Sequence, residues 1–185
     1  MWQDLQIIHY PDPRLRTKSK PVLDVNQDIR DLAKRMFELM REQKGVGLAA
    51  PQVGVNLQLF VMNHDGNPEN DRVVLNPVIE FIEGSITEEE GCLSLPEIRI
   101  DVIRSDVVRL TGLDENGSPI DRTDAGFAAR IWQHEFDHLQ GVMLTNRMSM
   151  LDKLRYRKVL GELQTTWDKA NDKPGTKKLL PIRKR

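Results

Sequence analysis

The stretch RIWQHEFDHLQG, residues 130–141, contains two histidines four residues apart, with a glutamate directly after the first. In a helix, His134 and His138 would lie on one face about one turn apart, so together they could hold a metal ion. The H-E-x-x-H pattern also places Glu135 where it could act on a metal-bound water. The alternative is a helix with two ordinary histidines in the core or on the surface, so a third ligand has to be found.

Two residues are candidates for that third ligand. No histidine follows His138, which excludes a zincin pattern with a downstream histidine. Glu162, on a later predicted helix, would suit a thermolysin-type zincin. Cys92, within EEEGCLSLPE, would supply a thiolate, which is an excellent ligand for zinc or ferrous iron. A lone cysteine is more commonly a small buried apolar residue, but Gly91 beside it would let the backbone come close to another group.

The composition is that of an ordinary globular protein. The chain has 185 residues, of which 39% are hydrophobic and 30% charged, with a net charge of -1. One domain is expected, over residues 1–170, followed by a basic tail over residues 171–185. Neither a signal peptide nor an apolar run of membrane-spanning length is present, and the single cysteine excludes an intrachain disulfide. We therefore expect a cytoplasmic protein with no membrane or DNA partner.

The hydrophobic pattern predicts a helix, several strands and then two helices. Apolar residues with helical spacing begin at Ile29, after a cap at Asp24 or Asn26 and before a stop at Gly45. Residues 57–113 show short β-branched runs, and Asn116-Gly117 is typical of a hairpin turn. Further helices are predicted over residues 124–140, capped by Thr123 or Asp124 and stopped by Gly141, and over residues 150–169. This order indicates the α+β class.

A glycine-rich stretch, GVGLAAPQ, occupies residues 45–52. Gly45 and Gly47 would permit close approach of the backbone, and Gln52 offers an amide donor. It is not a phosphate-binding loop, because no Gly-Lys-Ser/Thr follows. Taken alone, this stretch could equally be a loose connection between secondary-structure elements.

Three motifs now stand in order along the chain: GVGLAAPQ, EGCLS and HEFDH. Together they resemble the peptide deformylase family, whose pattern is G-x-G-x-A-A-x-Q, E-G-C-x-S and H-E-x-D-H, and the resemblance covers residues 5–150. It implies antiparallel sheets packed around a central helix that carries H-E-x-x-H, with an N-terminal and a C-terminal helix. It also implies removal of the formyl group from the N-terminal formyl-methionine of nascent polypeptides, with release of formate.

The resemblance further implies the chemistry of the site. The metal ligands would be Cys92, His134 and His138, holding Fe²⁺ in the native state, with Zn²⁺, Ni²⁺ or Co²⁺ as possible substitutes. Glu135 would be the general acid and base. The Gln52 side chain and the backbone N–H of Leu93 would donate to the oxyanion.

Methionine selectivity requires an apolar pocket beside the metal. We expect Val46, Phe127 and Ile131 to line it, and Gly47 to admit the substrate backbone. Asp137 is predicted either to orient a ligand or to pair with an arginine such as Arg104, and Glu90 to have a structural role.

Two rival functions and one partner remain open at this stage. An H-E-x-x-H zincin peptidase would use Glu162 and tolerate loss of Cys92. A non-catalytic ribosome-associated relative would be expected to lack Glu135 or a ligand. Residues 173–185 contain six basic residues and no acidic one, so this tail could contact the ribosome through RNA phosphates.

Overall fold

The computed structural model describes residues 2–171, which form two antiparallel sheets and five α-helices within that range. The strands are β1 (Gly47–Ala49), β2 (Leu59–Met62), β3 (Arg72–Glu83), β4 (Ile86–Cys92), β5 (Leu95–Arg104), β6 (Val107–Leu113) and β7 (Pro119–Ala125). One sheet has the order β1-β2-β3-β6-β7, and β4 pairs with β5 in a separate hairpin. Helices combined with antiparallel sheets confirm the α+β class.

The first helix, α1 (Gln27–Glu42), forms where the apolar spacing predicts it. Its cap is Asn26, whose side-chain oxygen accepts a hydrogen bond from the Ile29 backbone N–H at 3.2 Å. The predicted stop at Gly45 is off by one residue, because Lys44 adopts the left-handed conformation with φ of 54°. The Gly45 N–H still closes the helix by donating to the Met40 carbonyl at 2.8 Å.

The β4–β5 hairpin carries the cysteine at its tip. Residues along β5 alternate between buried and exposed, so one face of the hairpin packs inward while the other faces solvent. The pairing shifts register between Gly91 and Cys92, where the strand turns into β5. This shift places Cys92 on the inner side, where it is 9% exposed.

The second helix, α2 (Gly126–Leu139), carries the H-E-x-x-H motif and begins two residues later than predicted. The predicted caps, Thr123 and Asp124, belong instead to β7, in which Asp124 is the register partner of Val108. The cap position is Ala125, which has no side-chain oxygen to offer. Gly141 follows the helix with φ of 74°, as the predicted stop requires.

Helix α2 makes contact with both sheets. Its apolar side chains pack with buried residues of the five-stranded sheet, namely Phe60, Met62, Val74, Val108 and Leu110. Its polar side chains reach the β4–β5 hairpin, where Arg130 donates to the Val102 carbonyl of β5 at 3.0 Å. Gln133 donates to the Ser105 carbonyl, just after β5, at 2.8 Å.

The helix predicted over residues 150–169 is divided into α4 (Met150–Arg155) and α5 (Arg157–Asn171). A short helix that was not predicted, α3 (Leu144–Arg147), precedes them. The break falls at Tyr156, whose hydroxyl donates to the Arg99 carbonyl of β5 at 2.6 Å. This anchor fixes the helices on the hairpin. None of the helices described in residues 2–171 combines the length and apolar character needed to span a membrane.

Candidate metal centre

The structure brings together the three residues that the resemblance implies as ligands. The Cys92 Sγ lies 3.3 Å from the His138 Nε2, and that atom lies 3.3 Å from the His134 Nε2. All three candidate ligand atoms fall within 4.8 Å of one another. His138 is buried and His134 half-buried, so neither is an ordinary surface histidine. The approach of both Nε2 atoms and the Cys92 sulfur argues against ordinary core packing.

These spacings suit a tetrahedral metal ion. With metal–nitrogen bonds near 2.0–2.1 Å and a metal–sulfur bond near 2.3 Å, two nitrogen ligands stand roughly 3.3–3.4 Å apart. A sulfur and a nitrogen ligand stand roughly 3.5–3.6 Å apart on the same basis. The nitrogen–nitrogen distance of 3.3 Å matches the first value, and the sulfur–nitrogen distance of 3.3 Å is slightly shorter than the second. One thiolate and two imidazoles are also a donor set that zinc and ferrous iron accept.

Glu162, the rival third ligand, lies elsewhere. Its side chain is 65% exposed on α5, where an oxygen lies 3.8 Å from the Lys158 Nζ. Within residues 2–171, the ligand group that includes both histidines contains Cys92 and not Glu162. The zincin arrangement is therefore wrong for this chain.

Glu135 is buried in the same cavity as Cys92 and His134. Burial raises the pKa of Glu135 to about 7, because the apolar surroundings disfavour its charged form. Its Oε2 accepts no hydrogen bond from any residue in the described part of the chain. A buried carboxylate oxygen without a protein partner is suited to exchange a proton with water or substrate.

The glycine loop makes room for this carboxylate. A Cβ placed on Gly47 would lie 2.3 Å from the Glu135 Oε1, and one on Gly45 would lie 2.7 Å from the Leu93 Cδ1. At such distances the side chain of Glu135 or Leu93 would have to move away. The close approach that the sequence predicts is therefore to Glu135 at Gly47 and to Leu93 at Gly45.

Gln52 is held by its own loop and points at the cysteine. Its Oε1 accepts from the Ala49 backbone N–H at 2.8 Å, which leaves the amide nitrogen to face the site. The Nε2 donates to the Ser94 Oγ at 3.3 Å and lies 3.5 Å from the Cys92 Sγ. Leu93 lines the same cavity directly after Cys92.

Glu90 orients one of the histidines, a role that the sequence did not predict. Its Oε2 lies 2.9 Å from the His134 Nδ1, which leaves Nε2 of that ring facing Cys92 and His138. Burial alone would raise the pKa of Glu90, but hydrogen bonds from Arg104 and His134 hold it well below its ordinary value. Glu90 therefore remains charged and can accept a hydrogen bond from the Nδ1–H of His134. The acidic run before Cys92 shows that Glu90 is charged, but no signal in the sequence pairs it with His134.

Asp137 follows one of the two predicted alternatives. Its Oδ2 accepts from Arg104 Nη1 at 2.6 Å, and both oxygens accept from Arg147 at 2.6 Å. Asp137 therefore supports Arg104, which in turn holds Glu90. The His138 ring is buried, and burial drives its pKa well below the ordinary value, which favours the neutral form that binds metals.

A cavity of about 610 Å³ opens onto the cluster. All four residues predicted to bind substrate line it: Val46, Gly47, Phe127 and Ile131. Phe127 is 52% exposed and stands at the mouth, whereas Ile131 is 4% exposed and forms part of the wall. The lining combines these apolar groups with Glu135 and Gln52, so the cavity can hold an apolar side chain beside a reacting polar group.

The chain resembles known proteins along most of its length. Residues 4–154 match the family model described as polypeptide deformylase. A peptide deformylase of Psychrobacter cryohalolentis is 39% identical over 178 residues, covering 96% of this chain and 97% of that protein. The chloroplastic peptide deformylase 1B of Oryza sativa is 40% identical over 169 residues, covering 90% of this chain but only 63% of that protein.

Solved structures give the same similarity. A plant peptide deformylase superposes with a TM-score of 0.87 at 35% identity, covering 93% of this chain and 95% of that one. A Plasmodium falciparum peptide deformylase superposes with a TM-score of 0.86 at 37% identity, covering 91% of this chain and 99% of that one.

Proposed function

Because the chain belongs to the peptide deformylase family, we propose that Cys92, His134 and His138 hold one divalent metal ion at its reaction centre. The protein is a hydrolase that removes the N-formyl group from nascent polypeptides. The observation that carries the proposed centre is the approach of one sulfur and two imidazole nitrogens in a single cluster. The ion is proposed to be Fe²⁺ in the cell, with Zn²⁺, Ni²⁺ and Co²⁺ as functional substitutes.

The reaction is hydrolysis of a formamide. A bound divalent cation would polarise the carbonyl and lower the pKa of a water molecule towards about 7. Glu135 takes a proton from the attacking water while the oxygen of that water bonds to the formyl carbon. Glu135 then passes that proton to the nitrogen as the carbon–nitrogen bond breaks. The products are formate and a peptide with a free amino terminus.

Gln52 and Leu93 stabilise the oxygen that gains negative charge during the attack. The Gln52 Nε2 is fixed toward Cys92 because its Oε1 is occupied by the Ala49 N–H. The Leu93 N–H is the second donor. Preorganised donors of this kind typically supply about 3–4 kcal/mol each.

The methionine side chain is proposed to enter the cavity lined by Val46, Phe127 and Ile131, with the substrate backbone passing Gly47. The flexible thioether suits an apolar wall of this kind. The arrangement proposed around the reaction centre is that of a central helix, α2, flanked by antiparallel sheets. Contacts of α2 with both sheets support it.

Location and partners complete the proposal. We expect one catalytic domain over residues 1–170, acting in the cytoplasm without a membrane or DNA partner. The basic tail, residues 171–185, lies outside the described residues apart from Asn171. It is proposed to contact the ribosome, and deletion of residues 172–185 should abolish salt-sensitive ribosome binding. Unchanged binding would rule that contact out.

The deciding experiment measures formate release from formyl-Met peptides by protein purified without oxygen and loaded with iron or zinc. Wild-type protein should turn over with one metal per chain. Cys92→Ser should lose metal and activity together, whereas a zincin would be indifferent to that change. Stoichiometric metal without formate release would instead support a non-catalytic relative, which the retention of Glu135 does not favour.

A further inference from the structure

Arg130 is an arginine buried inside the helix that carries the metal ligands. Its side chain is 4% exposed and lies one turn before His134 on α2. Burying a cation is costly unless it is paired and hydrogen-bonded. Its surroundings provide several partners, since it meets the carboxylate of Glu90 and the backbone of both hairpin strands.

The contacts of Arg130 run along the β4–β5 hairpin from its open end at Ile86 as far as Glu90. Nη1 donates to the Glu90 Oε1 at 2.7 Å and to the Val102 carbonyl at 3.0 Å. Nη2 donates to the Ile86 carbonyl at 2.9 Å. An oxygen of Glu88 lies 2.9 Å from its Nε. One side chain of α2 therefore holds the hairpin whose far end bears Cys92.

The carboxylate of Glu90 receives four donors. Oε1 accepts from Arg104 Nε at 2.8 Å and from Arg130 Nη1 at 2.7 Å. Oε2 accepts from Arg104 Nη2 at 2.8 Å and faces the His134 Nδ1 at 2.9 Å. A carboxylate has about four lone-pair sites, so this one is filled and cannot rotate without losing a bond.

Two of those four donors, Arg130 and His134, lie four residues apart on the same helix. Because positions i and i+4 share a face, they hold the two oxygens of Glu90 from one side. Arg104 holds the same oxygens from β5 and forms an ion pair with Asp137 of α2, which is 16% exposed. Besides the candidate ligand His134 itself, Arg130 thus links α2 directly to the carboxylate, and it is buried.

We infer that Arg130 is a positioning residue for the metal centre, acting through Glu90 on His134 and through the hairpin on Cys92. It fixes the distance between the strand that supplies the sulfur and the helix that supplies the nitrogens. The inference rests on the proposed function, because it assumes that these three residues bind a metal. Arg130 should therefore influence how tightly the metal is held more than how substrate binds.

The test measures the rate at which zinc-loaded protein releases Zn²⁺ to a chelating dye, for wild type, Arg130→Met and Arg130→Lys. Loss of the direct partner of a ligating histidine, here Glu90, typically weakens metal binding by 10–100-fold. Arg130 acts one contact further out, so Arg130→Met should release zinc about tenfold faster, at the lower end of that range. Arg130→Lys, which can still reach Glu90 but cannot hold both carbonyls, should be intermediate. The KM for a formyl-Met peptide should change by less than about twofold.

Arg109→Met is the matched control. Arg109 makes a two-point ion pair with Asp121 at 2.8 and 2.7 Å but is 45% exposed on the β6–β7 surface. Its loss should leave zinc release unchanged. The Co²⁺-substituted proteins give a second readout, since altered ligand geometry shifts the thiolate-to-cobalt absorption in Arg130→Met but not in Arg109→Met.

A double variant tests the route through Glu90. If Arg130 acts in part on His134 through this carboxylate, Arg130→Met combined with Glu90→Gln should release zinc more slowly than the product of the two single effects predicts. Fully multiplicative rates, or wild-type release from a folded Arg130→Met protein, would overturn the inference. If Arg130→Met does not fold, wild-type release from Arg130→Lys would overturn it equally. Failure of wild-type protein to bind zinc would instead refute the proposed function.

Discussion

Helices α1 and α2 both pack on the five-stranded sheet, but they bury different kinds of side chain. Helix α1 buries only apolar residues, namely Ile29, Leu32, Ala33, Met36, Phe37, Leu39 and Met40. Helix α2 buries four polar or charged ones beside its apolar residues: Arg130, Gln133, Glu135 and His138. Apolar burial stabilises a fold in proportion to area, whereas buried polar groups cost free energy unless they are satisfied. Burial of α1 therefore stabilises the fold. Burial of α2 stabilises it less, because an unsatisfied polar group such as the Glu135 carboxylate costs free energy of folding.

The strongest test of this contrast is Glu135→Gln. Because a glutamine cannot accept and return the proton, kcat should fall about a thousandfold, as expected for loss of a general acid and base. The free energy of unfolding should not fall, since the buried carboxylate with an unpartnered oxygen has been replaced by a neutral group. Formate release and thermal unfolding of zinc-loaded protein measure the two quantities. A large loss of stability would contradict the contrast.

The opposite outcome is expected on α1. Leu32 is fully buried, and Leu32→Ala should lower the free energy of unfolding by about 2–5 kcal/mol through lost burial and a cavity. Zinc content and kcat of the protein that remains folded should stay at wild-type values. Leu23→Ala serves as the control, because Leu23 is 93% exposed and its truncation should cost less than about 0.5 kcal/mol. Denaturant unfolding gives both values.

Gln52→Leu sharpens the contrast within the site itself. Removing one oxyanion donor should lower kcat about a hundredfold while zinc stays bound, because none of the three metal ligands is altered. Gln58→Leu is a suitable control: Gln58 donates to the Ser19 carbonyl at 3.4 Å, away from the cavity lining. Normal turnover by the Gln52 variant would remove this side chain from the mechanism.

The smallest effect is expected at the start of α1. Asn26→Ala removes the side chain that accepts from the Ile29 N–H, and should cost about 1 kcal/mol of stability. Asp24→Ala should cost less than about 0.5 kcal/mol, because Asp24 contacts Asn26 rather than the helix backbone. Urea unfolding separates the two. Equal losses would show that both residues contribute to the cap.

Sequence patterns predicted the fold where apolar spacing determines it. Helix α1 depends on a repeated apolar stripe, and its position was correct apart from the left-handed residue at its end. The start of α2 was wrong because the choice between helix cap and strand at Asp124 depends on pairing with Val108, a partner distant in sequence. The division at Tyr156 likewise depends on a hydrogen bond to Arg99 in another element.

The candidate ligands were recognisable because short motifs carry them, but the charged residues that support them were not. Glu90 appeared to be a structural acid, and its contact with His134 becomes visible only when β4 lies against α2. Arg130 was conspicuous as a charged residue on the ligand-bearing helix. Nothing in the local sequence indicates that its partner is a carboxylate 40 positions earlier. Ion-pair partners across elements are set by tertiary structure.

The proposed sulfur ligand lies at the end of β4 and the proposed nitrogen ligands on α2, so the complete centre does not exist in any local segment of the chain. An unfolded or half-synthesised polypeptide offers only isolated donors, and tight metal capture must wait until hairpin and helix have docked. Metal uptake therefore reports completed maturation. Protein made without metal would lack the stabilisation that a bound ion gives, so we expect it to unfold more readily and to be degraded sooner.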